Sequence, residues 1–109
     1  MKFKMKDTAL HRMALLHMIG QLEDMGKDWI TTGEIASLMG VTKPTAIKRL
    51  NMLAEYGSLI KATRMHRPNC DAFVWQLGKG KRRMYRNGLL SASYHIWRNE
   101  AFGEKGEKS

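Results

Sequence analysis

The sequence predicts a single α+β domain with a three-helix core, a two-stranded β-hairpin and an extra C-terminal helix. Three observations predict it. Apolar residues recur at helical spacing through 7–25 and 43–56, two β-rich runs at 59–65 and 72–77 flank turn residues, and Leu90, Tyr94 and Trp97 share one helical face. With 109 residues, 43% of them hydrophobic and 27% charged, the chain can bury one modest core and falls well outside the composition of disorder.

The first helix rests on Ala9, Met13, Leu16, Ile19 and Leu22, which form one stripe; Asp7 or Thr8 would cap it and Gly26 would end it. After the short apolar step Trp29–Ile30, Thr31 and Glu34 have the spacing at which each side chain reaches the other's unpaired backbone N–H, so a second, short helix begins there. Ile35, Ala36 and Met39 form its buried face, and Gly40 closes it in the left-handed conformation. Thr42 and Pro44 open a third helix over 43–56, in which Ala46, Leu50 and Leu53 face inward and Gly57 is the stop. Pro68, Asn69 and Asp71 then turn a hairpin whose loop carries Arg64, His66 and Arg67. The segment "GKGKRRMYRNG" reads as an irregular, exposed connector over 78–88, followed by a helix and a frayed tail over 89–109. Met13, Met39 and Met52 fit core or near-core helical positions, and Leu38 with Trp75 forms the one candidate apolar patch.

Lys and Arg number 19 against 10 Asp and Glu, a net charge of +9 with a pI near 10.0. Such an imbalance costs self-repulsion and points to an anionic partner, nucleic acid first. A membrane surface is the weaker candidate, because no stretch sets cations along one face against large apolar residues on the other. No apolar run approaches the roughly 20 residues of a membrane span. His11 and Arg12 interrupt any signal-peptide core, and Cys70 is the only cysteine, so a cytoplasmic protein without an internal disulfide is expected.

Helix, short helix, tight Gly turn, longer helix and hairpin, in this order over about 8–77, resemble the winged helix-turn-helix superfamily of DNA-binding proteins, found in many small bacterial and phage regulators. The resemblance is strongest across "ITTGEIASLMGVTKPTAIKRLNMLAEYGSLI". Each of its small residues has a physical reason: Ala36 lets two helices approach, Gly40 permits the reversal, and Val41 fills the space between them.

With Ala46, Leu50 and Leu53 inward, 3.6-residue periodicity turns Lys43, Pro44, Ile47, Lys48 and Asn51 outward, with Arg49 at the edge. Cations reach phosphates, Asn51 can bond adenine bidentately, and Ile47 can touch a thymine methyl. Thr42 and Thr45, near the helix start, could bond phosphate. The resemblance implies that this helix enters a DNA major groove, and that the hairpin tip, with Arg64, His66, Arg67 and Asn69, meets the flanking backbone or minor groove. Lys79, Lys81, Arg82, Arg83 and Arg86 would neutralise phosphates without reading sequence.

The expected partner is therefore double-stranded DNA, and the expected role a transcriptional regulator acting by operator occupancy. Two readings compete with it: a winged-helix protein-interaction module within a larger assembly, and a replication or recombination accessory protein. No phosphate loop, nucleophile elbow or paired-carboxylate motif appears, so neither an enzyme nor a cofactor is expected. His66, Cys70 and Asp71 make only a loose local trio, and His11 and His17 lie on different sides of a helix, so no metal site or small-molecule ligand is expected. The C-terminal helix has two open placements: folded onto the first helix, or paired with a second subunit. Two-fold symmetry favours a homodimer through the first and C-terminal helices, since a dimer reads two half-sites.

Overall fold

The computed structural model describes residues 4–67 and 70–102, with side chains for all of these except 64–67, 70–72 and 102. The order of elements is α1 (Ala9–Asp24), β1 (Ile30–Thr31), α2 (Thr32–Met39), α3 (Lys43–Glu55), β2 (Leu59–Arg67), β3 (Cys70–Leu77), α4 (Lys79–Arg86) and α5 (Ser91–Phe102).

Local signals place the ends of the first three helices. Thr8 caps α1 by accepting the His11 N–H, and Gly26 follows it at φ 100°. Thr31 and Glu34 complete both bonds of the capping box before α2. The Glu34 carboxyl is held below its ordinary range, first by the Lys27 ammonium hydrogen bond and then by the Thr31 N–H. Gly40 takes φ 70°, a conformation in which a side chain would be strained, and reverses the chain into α3. Thr42 occupies the N-cap of α3 but makes no cap bond; its hydroxyl donates to Thr45 Oγ1 instead.

The core lies where these helices meet the sheet. Ala46 and Leu50 are fully buried and Leu53 is 5% exposed, against Leu16, Ile19, Ile30, Ile35, Met39, Trp75 and Leu77. Helix α1 is buried on more than the expected stripe: Ala14, Leu15 and Met18 are buried too, whereas Ala9 is exposed. The reason is α5, which runs along α1 with the Tyr94 ring stacked on His17 at 4.7 Å and with Trp97, and Leu90 just before the helix, buried. Of its two open placements, the last helix thus packs on the first helix of its own chain.

Several expectations need correction. The sheet has three antiparallel strands in the order β1-β3-β2, since Ile30 and Thr31 pair with Trp75 and Val74. A two-residue strand has no periodicity of its own and exists only through its partner. Strand β2 extends to Arg67 and β3 begins at Cys70, so Arg64, His66 and Arg67 belong to a strand rather than to a loop. The 78–88 connector contains a helix, α4, seated by Tyr85 lying across Gly20. Met52 is 39% exposed, and Trp75 is wholly buried, which removes the Leu38–Trp75 patch. Among the described residues, no helix is long and apolar enough to cross a membrane.

Candidate nucleic-acid interface

The outward face of α3 follows from its inward one. Because Ala46, Leu50 and Leu53 are fixed in the core, Lys43, Pro44 and Lys48 are exposed, and Thr45, Ile47 and Asn51 are half-buried. Lys43 passes over Gly33, where a Cβ would stand 3.3 Å from Lys43 Cε. Among the described residues, neither Lys43 nor Lys48 pairs with a carboxylate. The face therefore presents uncompensated cations beside one aliphatic and one amide side chain.

Arg49 is placed differently from its expected position at the edge of this face. Its Nη1 donates to the Met5 carbonyl at 2.6 Å, while the Met5 N–H donates to the Met39 carbonyl at 2.8 Å. Met5 itself is 2% exposed. Arg49 thus pins the N-terminal segment between the end of α2 and the middle of α3, a role invisible to a reading of one helix alone.

Sequence reasoning also missed Lys61. Leu59 and Lys61 pair with Leu77 and Trp75 on the sheet face that packs toward α3. Leu59 and Leu77 lie in the core, but Lys61 lies where the sheet emerges, and its Nζ donates to Asn51 Oδ1 at 2.8 Å. The same ammonium stands 4.2 Å from the Phe73 ring centroid and 5.8 Å from that of Trp75. One half of the Asn51 amide, the acceptor half that an adenine contact would take, is therefore already engaged.

For the hairpin candidates only backbone placement is described. Arg64 pairs with Ala72 and Arg67 with Cys70, with a register shift between Met65 and Arg67 that marks a bulge. Asn69 lies outside the described residues.

The basic segment divides. Lys79, Arg83 and Arg86 of α4 are exposed, whereas Arg82 donates to the Leu77 carbonyl and lies 3.5 Å from Glu23, and Lys81 is half-buried against Met84. The Tyr85 hydroxyl donates to Asp24 at 2.7 Å, and burial, then that carboxylate, pushes its pKa up to about 12. Helix α4 starts beside the C-terminal end of α3, where the Gly78 N–H donates to the Ser58 carbonyl. By helical rise this is about 18 Å from the Lys43 end of α3 and about 10 Å from Lys48.

No protein-family model matches the chain, and no curated protein matches it. Among solved structures it is similar to Lactococcus lactis ZitR. An apo-form double mutant of ZitR superposes with a TM-score of 0.55 at 16% identity, over 94% of this chain and 69% of that one. Another ZitR structure, described as a zinc-responsive MarR family member, gives 0.52 at 17% identity, over 87% of this chain and 61% of that one. At such identities the likeness is one of fold: the chain has the winged helix-turn-helix fold that its sequence resembles, in α+β form.

Proposed function

We propose that the chain binds double-stranded DNA sequence-specifically and regulates transcription by occupying an operator, with α3 in the major groove and the β2–β3 hairpin on the flanking backbone or minor groove. The observation that carries this reading is the α3 surface. Exposed Lys43 and Lys48 flank Ile47 and Asn51 on the helix that this fold uses for recognition, while the opposite face is locked in the core. The fold shared with a MarR family member supports it. Thr42, Pro44 and Thr45 line the start of the helix, and Lys79, Arg83 and Arg86 supply sequence-independent attraction at its far end.

ZitR is zinc-responsive, but no zinc site is proposed for this chain. Among the described residues, no group of three or more His, Cys, Asp or Glu could hold a metal ion. A homodimer through the outer faces of α1 and α5 belongs to the same reading, with Ile96 half-exposed on α5 and Leu89 just before it 61% exposed.

Selection of bound duplexes from a random pool tests the proposal. A regulator enriches one motif, palindromic if the protein reads as a dimer. A pool that binds without enrichment marks an accessory protein, and a chain that retains no duplex at low salt is a protein-interaction module.

A further inference from the structure

Asn51 does not stand alone on its face, and its neighbour decides which chemistry it can present. Lysine is a donor only, so whichever end of the Asn51 amide lies against Lys61 Nζ must be the oxygen. Lys61 is exposed, and its ammonium meets the Asn51 oxygen and an aromatic ring at the same time. It rests over Phe73, whose ring stands edge-on to Trp75 at 6.4 Å. That platform is itself anchored: Trp75 Nε1 donates to Thr32 Oγ1 at 2.8 Å, and the Thr32 hydroxyl donates to the Phe73 carbonyl at 3.0 Å.

Asparagine reads adenine by turning both ends of its amide to the base edge at once, the oxygen accepting from N6 and the nitrogen donating to N7. With Oδ1 directed at a cation lying on the sheet, only Nδ2 turns to the groove. Beside it stand the two remaining N–H donors of Lys61. The combined patch donates and does not accept, which suits guanine, whose major-groove edge offers N7 and O6 as acceptors.

We propose that Lys61 is a specificity-determining residue of the reading face, holding the Asn51 amide as a donor so that the pair selects guanine over adenine. The inference rests on α3 being the recognition helix and deepens that reading.

Three proteins are compared in selection from a random duplex pool: the wild type, Lys61→Met and Asn51→Ala. Methionine keeps an apolar stem over Phe73 and removes the donor. The wild type is expected to enrich guanine at one position, and Asn51→Ala to lose that preference. Lys61→Met shifts the same position toward adenine by roughly fivefold or more and leaves the other positions as they were. In the protein without DNA, the Asn51 side-chain amide resonances move in Lys61→Met, while the circular dichroism spectrum does not change.

Adenine already preferred at that position by the wild type overturns the proposal. So does a Lys61→Met protein that keeps every base preference and binds all sequences equally less well, since that is a phosphate contact; unmoved Asn51 resonances do the same. If Asn51→Ala changes no position, the reading of α3 itself fails, and the Lys61 proposal falls with it.

Discussion

Gly20 and Tyr85 form the contact that seats α4, and their geometry allows the sign of a substitution to be worked out. In Gly20→Ala, the new Cβ would stand 2.7 Å from Tyr85 Cγ and Cδ1 and 2.9 Å from Cδ2. Ordinary carbon contacts lie at about 3.5–4.0 Å, so the ring must move by close to an ångström. It cannot do so by a flexible tip, because Cγ is the root of the ring and the hydroxyl is tied to Asp24. Overpacking of this kind costs about 1–3 kcal/mol, and loosening the partly exposed Tyr85–Asp24 bond adds about 1 kcal/mol. Against this, alanine favours a helix interior over glycine by about 1 kcal/mol. The balance is a loss of about 1–3 kcal/mol, or a fall in Tm of roughly 5–15 °C for a domain of this size, read by thermal unfolding followed by circular dichroism. In a Tyr85→Ala background the clash is gone, and Gly20→Ala should stabilise by up to about 1 kcal/mol. A Gly20→Ala protein that melts higher than the wild type would mean that the Tyr85 ring yields at no cost.

Two further outcomes follow from named contacts. A Cβ at Gly78 would collide with the Gly57 carbonyl oxygen, a backbone atom that a rotamer change cannot move, so Gly78→Ala should lose about 2–3 kcal/mol in urea unfolding; an unchanged midpoint would contradict that contact. His17 is packed between Tyr85 and Tyr94, its Nδ1 buried with no hydrogen-bond partner among the described residues. Burial, and then the charge of His95, lower its pKa below 6.5. The unfolded chain then binds the proton more readily than the folded one, so this contribution to stability is present above about pH 6.5 and is lost as pH falls below it. His17→Phe should flatten the decline between pH 7 and 5 relative to the wild type, and parallel profiles would exclude the histidine as its source.

Much of the fold was legible because its signals are local. The Thr31–Glu34 box, Gly40, Gly57 and the Ala46–Leu50–Leu53 stripe each act within one or two turns of chain, and the structure uses each of them as its residue type suggests. What was illegible depends on partners far away in sequence. Gly78, Gly80 and five cations disguise α4, whose seat is Tyr85 reaching Asp24 across 61 positions. Strand β1 needs β3, and α1 shows one apolar stripe while burying more, because α5 lies along it. On the candidate face, periodicity correctly turned Lys43 and Lys48 to solvent. It could not show that Met5 holds Arg49 or that Lys61 holds Asn51, since those partners come from other elements.

In the proposed complex the outward face of α3 reads DNA sequence while the cations of α4 only attract the backbone. Titrating an enriched duplex and a scrambled one at several salt concentrations tests it most directly. Lys48→Ala with Asn51→Ala should lose discrimination between the two duplexes by roughly 1–3 kcal/mol per base-reading contact. Arg83→Ala with Arg86→Ala should weaken both duplexes alike and reduce the slope of log affinity against log salt by about 0.9 for each phosphate no longer neutralised. Substitutions on α3 that leave both affinity and discrimination at the wild-type values would mean that this helix does not read the duplex.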